Sequence, residues 1–123
     1  IPVASTRQQL LSIVDYEANR AGLEPALVMA VIEVESQFKP QAVSRASARG
    51  LMQVMPFWVK TIGDGQVKNL HNARINVRYG CVILRHYLDI ENGDLVRALG
   101  RYNGSLGRLD YPKKVFAALN RWR

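Results

Sequence analysis

The chain has 123 residues, 48% hydrophobic and 22% charged, an ordinary globular balance that sets aside disordered and fibrous classes. No apolar run approaches the roughly 20 residues that cross a bilayer, so no integral membrane segment is expected. Seventeen Lys plus Arg against ten Asp plus Glu give a net charge of +7, which suits an acidic polymer: nucleic acid, an anionic membrane or a wall bearing carboxylates.

Ile1 opens the chain without a charged n-region or an apolar h-region, so a processed precursor or an excised domain is expected. The pattern that follows is helical nearly throughout. Ser5 with Gln8, or Thr6 with Gln9, forms a capping box, and Leu10, Ile13 and Val14 recur at helical spacing up to a stop at Gly22. Glu24 and Pro25 start a second helix through the apolar stretch Leu27 to Ile32, and Pro40 ends it. A polar loop with Ser44, Arg45, Ser47 and Arg49 runs to Gly50. Leu51, Met52, Val54 and Met55 then predict a short helix stopped near Pro56.

Gly63, Asp64 and Gly65 mark another loop. Asn72 caps a long helix to about Leu88, with Ile75, Tyr79, Val82 and Ile83 on one face. Asn92 and Gly93 turn the chain, and Asp94 caps a helix ending near Tyr102. Asn103, Gly104, Ser105 and Gly107 form a loop before the last helix, Pro112 to Leu119. No alternating strand pattern survives. The expected class is all-α, with at most a minor β-hairpin, in a single domain over residues 1–123.

Cys81 is the sole cysteine, which excludes an internal disulfide and reads as a small buried hydrophobe. With only His71 and His86 beside it, no metal site is expected. Basic residues thicken toward the end of the chain, at Arg101, Arg108, Lys113, Lys114, Arg121 and Arg123.

The second helix carries a misplaced carboxylate. At about 100° per residue, Glu35 lies about 20° from Val28 and about 40° from Val31, inside the apolar stripe. Glu33 lies about 160° from Glu35, where it can be solvated. Burial raises a carboxyl pKa, and a carboxyl protonated near neutrality is what acid-catalysed cleavage of a glycosidic bond requires. The wheel alone leaves a second reading open, in which Glu35 pairs with one of the many arginines.

Glu35, Ser36, Gln37 and Phe38, followed by Gly50, Leu51, Met52, Gln53, Val54, Met55 and Pro56, resemble the catalytic signature of the soluble-type lytic transglycosylases. In that family a glutamate-serine pair ends a buried helix, and a Gly-Leu-Met-Gln stretch follows a short loop. Asn76 with Gly80 resembles its Asn-x-x-x-Gly helix, and Tyr102, Asn103 and Gly104 resemble its Tyr-Asn-x-Gly element. Tyr111 and Val115 fit the pattern of its last helix. The resemblance spans about Ala26 to Val115. Two loops depart from it: Ser44, Arg45, Ala46 and Ser47 replace a Ser-Pro-x-Gly loop, and Ser105 follows Gly104.

The resemblance implies a lysozyme-like helical fold and cleavage of the N-acetylmuramic acid to N-acetylglucosamine bond of peptidoglycan, with a 1,6-anhydro end left on the muramic acid. Glu35 is implied as the catalytic acid and then base, with no metal or cofactor. Ser36, Met52, Gln53, Tyr102 and Asn103 are the implied substrate-binding residues. Helix-end, core and turn roles compete for Ser36, Met52 and Asn103 respectively, and a core role competes for Tyr102. Asn76 and Gly80 read as a capping or loop-tying amide and a close helix contact, and Trp58 and Trp122 as core or surface packing, with stacking on sugars the alternative.

The expected partner is the peptidoglycan glycan strand, not nucleic acid, for a monomer in the periplasm or cell envelope. One rival is a lysozyme that cleaves the same bond with water. The other is a non-catalytic basic helical module binding glycan or nucleic acid, which predicts strong salt dependence and a dispensable Glu35.

Overall fold

A computed structural model describes residues 4–63 and 65–123, with side chains from Thr6 onward. Helices α1 (Ala4–Arg20), α2 (Pro25–Ser36), α3 (Phe57–Ile62), α4 (Ala73–Ile90), α5 (Leu95–Asn103) and α6 (Asp110–Trp122) follow in order, with a 3-10 turn at Val67–His71. The described residues hold no strand. The minor hairpin that the sequence allowed at most is represented by two isolated bridges, Val43 with Arg49 and Arg49 with Val54.

Local chemistry sets several boundaries where the sequence puts them. Pro25 occupies the first turn of α2, where its missing N–H costs nothing. Asn72 Oδ1 accepts from Ile75 N at 3.1 Å and Asp94 Oδ1 from Arg97 N at 3.1 Å, capping α4 and α5. Tertiary packing organises the rest. α2 is buried at Leu27, Val28, Met29, Ala30, Val31 and Ile32 and packs chiefly on α6. α4 packs on α1 and α5. Burying a side chain of the size of Ile32 contributes about 2 kcal/mol, so α2 is the spine of the core. Cys81 belongs to that core, and burial pushes its thiol up to about 12, an unreactive state.

Three expectations are corrected. α2 ends at Ser36, not at Pro40, because Gln37 (φ 51°) and Phe38 (φ 65°) are both left-handed. That conformation costs about 1 kcal/mol per residue. It turns Phe38 edge-on against Trp122, with ring centroids 5.8 Å apart. The stretch Leu51 to Met55 is a turn rather than a helix. Its backbone is paired sideways, Met52 N to Asn76 and Val54 to Arg49 in both directions, and Gln53 is left-handed at φ 53°. The helix in this region is α3, which begins after Pro56 instead of stopping there.

Helix ends differ more modestly. α6 starts at Asp110 and runs to Trp122, outside the Pro112 to Leu119 window. α1 starts at Ala4, so Thr6 and Gln9 lie inside the helix, while the Ser5 cap falls outside the described side chains and Asp64 outside the described residues.

Candidate active site

Behind the site lies the loop 49–54, held on α4 by one side chain. Asn76 is 1% exposed; its Oδ1 accepts from Met52 N at 2.8 Å, and its Nδ2 donates to Arg49 O and Leu70 O, each at 2.8 Å. An amide supplies one acceptor and two donors; the acceptor and one donor serve the loop, and the second donor ties it to the 3-10 turn through Leu70. Gly80 lets the loop come close. A Cβ there would lie 2.2 Å from Met52 Sδ. Of the capping and loop-tying roles open to Asn76 these contacts carry the second, and the close contact of Gly80 is with the loop residue Met52.

Ser36 and Met52 stand behind the cleft rather than in it. The buried Ser36 hydroxyl donates toward Leu51 O at 2.7 Å and Ile32 O at 3.1 Å, tying the end of α2 to the loop. Met52 is fully buried against Gly80. Its carbonyl accepts from Tyr102 Oη at 2.6 Å. Gln53 is partly buried, and its Nε2 donates to Gly50 O at 3.0 Å and Ala42 O at 3.3 Å, so this amide also supports the loop.

Glu35 sits partly buried in the last turn of α2. Val34, Glu35, Asn103, Ser105 and Tyr111 line a cleft of about 340 Å3. Arg108, Asp110 and Lys114 complete it with exposed side chains. Burial raises the Glu35 pKa to about 7, against smaller opposing effects from the Tyr111 hydroxyl and the Asn103 amide. Among the described residues no cation pairs with Glu35, so the arginine-pair reading does not hold for it. Arg121 pairs instead with Glu33, which also accepts from Trp122 Nε1 at 3.0 Å. Glu33 is therefore engaged with α6 rather than simply solvated.

Burial, and secondarily the nearby Glu35 carboxyl, hold the Tyr102 and Tyr111 hydroxyls well above the ordinary tyrosine range, so both keep their protons. The proton of Tyr102 is committed to Met52 O. Tyr111 Oη is buried and close enough to affect Glu35, yet it makes no hydrogen bond of regular geometry, and the buried Ser105 Oγ is likewise unpartnered. Sequence reasoning placed Tyr111 only in a helix motif and did not single out Ser105, Arg108, Asp110 or Lys114 for the site. Tyr111 and Lys114 are three residues apart on one helix, which brings both to one face, but only the chain crossing from α2 puts that face beside Glu35.

A larger cleft of about 450 Å3, walled by Ile62, Ile75, Tyr79 and Val82, contains the other buried carboxylate, Glu17. Arg78 grips Glu17 with Nη2 at 3.0 Å and Nε at 3.2 Å. That cleft offers no free acid.

Comparison with known proteins bears on the family and the fold. A family model described as the transglycosylase SLT domain matches residues 12–122. The chain is 35% identical over 105 residues to the transglycosylase of Enterobacteria phage PRD1, covering 80% of this chain and 38% of that protein. It is 53% identical over 88 residues to membrane-bound lytic murein transglycosylase C of Actinobacillus pleuropneumoniae serotype 5b, covering 63% of this chain and 23% of that protein. The chain thus spans well under half the length of either relative.

Among solved structures, an inactive Glu-to-Gln variant of lytic transglycosylase Slt from Pseudomonas aeruginosa superposes with TM-score 0.82 at 23% identity, over 90% of this chain and 23% of that one. The 70 kDa soluble lytic transglycosylase SLT70 of Escherichia coli gives 0.69 at 21% identity, over 90% and 18%. These likenesses establish the helical, lysozyme-like fold, and with the match over residues 12–122 the chain belongs to the transglycosylase SLT domain family.

Proposed function

We propose that this chain is a single catalytic domain that cleaves peptidoglycan glycan strands as a lytic transglycosylase, with Glu35 as acid and base. The observation that carries the reading is a carboxyl raised to about 7 by burial, on a cleft wall, with no cation to discharge it among the described residues. The names of the relatives, and a glutamate substitution in an inactive structural neighbour, support the reaction class and the residue type.

The chemistry follows from that one group. Protonated Glu35 donates to the oxygen between N-acetylmuramic acid and N-acetylglucosamine as the C1–O bond breaks. The acetamido oxygen of the muramic acid bonds to C1 and carries the developing charge, a substrate-assisted exception to the two-carboxylate rule. Glu35, now ionised, removes the proton from the C6 hydroxyl, and O6 attacks C1 as the acetamido oxygen leaves. The result is a 1,6-anhydro end and a reprotonated Glu35. No water is consumed.

Asn103 is the exposed amide beside Glu35 and would meet the sugar directly. Ser36, Met52, Gln53 and Tyr102 would hold the loop and the acid in register from behind. No described helix is long and apolar enough to cross a membrane, and the substrate places the enzyme's work in the periplasm or cell envelope. A monomer with no nucleic-acid partner completes the proposal.

Asp110 supports a second reading. It is another carboxylate on the same cleft, 75% exposed and loosely opposed to Arg108 at 3.7 Å. Were Asp110 to activate a water, the same bond would be hydrolysed as in a lysozyme.

Mass spectrometry of products from purified peptidoglycan decides between these readings, using wild type, Glu35→Gln and Asp110→Asn. The expected result is anhydro-muropeptides from wild type and Asp110→Asn, and about a thousandfold fewer from Glu35→Gln. Reducing muramic ends that vanish in Asp110→Asn would establish hydrolysis. Absence of any Glu35-dependent product from folded protein would overturn the enzyme reading.

A further inference from the structure

We propose that the α6 wall of the cleft is a carboxylate-binding subsite, in which Lys114 and Arg108 read an acidic substituent on the muramic acid next to the bond being cleaved. The inference rests on the glycan-cleaving reading above and names which glycans the cleft prefers. Three observations converge on it. First, Lys114 lines the cleft and is engaged in no ion pair among the described residues, unlike Arg121 and Arg123 on the same helix, which hold Glu33 and Glu24. Arg108 meets only Asp110, at 3.7 Å between side chains each 75% exposed. Such a contact is worth little and yields readily to a better-placed anion.

Second, the cleft contains hydrogen-bond capacity that the protein leaves unused. Ser105 Oγ is buried and unpartnered, and the buried Tyr111 hydroxyl has only the Glu35 carboxyl beside it, in irregular geometry. A buried hydroxyl without a partner is costly and uncommon in a folded protein. Ser105 Oγ, with the Tyr111 hydroxyl close by and two cations on the same cavity, forms a concentration of donors, the arrangement that suits an oxyanion.

Third, the seat is built into the local structure. Lys114 follows Tyr111 by one helical turn on α6, and Gly104, left-handed at φ 81°, turns the chain from α5 into the segment carrying Ser105 and Arg108. Neutral chitin-like saccharides have no group to fill such a seat. Muramic acid does, through either of two carboxylate sources: its own lactyl group when the strand is stripped of peptide, or the stem peptide when it is not.

The test uses three glycan substrates: stripped strands with free lactyl carboxylates, stem-bearing strands, and strands whose carboxylates have been converted to neutral amides by carbodiimide coupling. For each, KM and kcat for release of anhydro ends are measured with wild type, the double variant Lys114→Gln/Arg108→Gln, and Lys114→Arg. Wild type is expected to show a KM about tenfold lower on at least one carboxylated glycan than on the amidated one. The double variant is expected to lose that ratio, and Lys114→Arg to keep most of it. The favoured carboxylated arm identifies the source.

A wild type that handles all three glycans alike, or a double variant that retains the ratio, would overturn the subsite while leaving lytic cleavage intact. Calorimetric binding of the same three glycans to Glu35→Gln provides a readout independent of turnover. If wild type releases no anhydro ends at all, a carboxylate preference in binding that depends on Lys114 and Arg108 still supports the subsite, and its absence overturns it.

Discussion

Glu17 and Glu35 are both carboxylates drawn into the interior, and their surroundings differ in one respect that decides what each can do. Glu17, on α1, is 2% exposed and gripped by the Arg78 guanidinium reaching over from α4. Glu35, on α2, is less buried and makes no ion pair among the described residues, where an amide and a tyrosine are the groups that act on its pKa. The first is a structural clamp and the second a group that holds a proton near neutral pH. Burial alone does not make an acid here; burial with the counter-ion withheld does.

Removing each carboxyl in turn is the strongest challenge to that contrast. Glu35→Gln is expected to lose about a thousandfold in release of anhydro ends, against no more than a few fold for Glu17→Gln, measured on the same peptidoglycan. Comparable losses would erase the distinction between clamp and acid.

Stability should move in the opposite sense. The native Glu35 pKa of about 7 lies above its ordinary value of 4.5, so between those values the folded state binds more protons than the unfolded one, and stability falls as pH rises. Glu35→Gln removes that loss. It is expected to be more stable than wild type by about 3 kcal/mol at pH 8 and about equal at pH 4, by urea denaturation. Glu17→Gln should instead be less stable by about 2 kcal/mol at pH 7, because Arg78 loses its charged acceptor.

The finest adjustment gives Glu35 what Glu17 already has. Asn103→Lys puts an ammonium on the exposed wall beside it, and the alkaline limb of kcat against pH is expected to move down by about one unit. An unmoved limb would mean that the limb belongs to another group.

A helical wheel would have treated these two residues alike. Glu17 lies about 20° from Leu10 and about 60° from Val14, as deep in its apolar stripe as Glu35 is in its own. The sequence offers arginines to either, and it is the approach of α4 to α1 that delivers Arg78 to one of them. Glu35 was legible only because the motif residues around it supplied a second signal. Caps at Asn72 and Asp94 and the start at Pro25 were legible for a simpler reason: their determinants lie within one turn.

The loop 49–54 was not legible as a loop, since its apolar residues look helical and its shape comes from Asn76, far along the chain. The cleft face of α6 shared that fate. Tyr111 and Lys114 are ordinary helix-surface spacing until α2 is packed against them.

The two left-handed residues that end α2 have an electrostatic consequence for its last turn. Peptide dipoles aligned along a helix leave about half a negative charge at its carbonyl end. Terminating α2 at Ser36 puts that partial charge beside Glu35, where it opposes ionisation and adds to what burial does. A sequence that carried the helix on toward Pro40 would move the negative pole about a turn away and leave a stronger acid behind. The abrupt stop at Gln37 and Phe38 thus works as a tuning element, setting the proton affinity of a side chain that neither residue needs to touch.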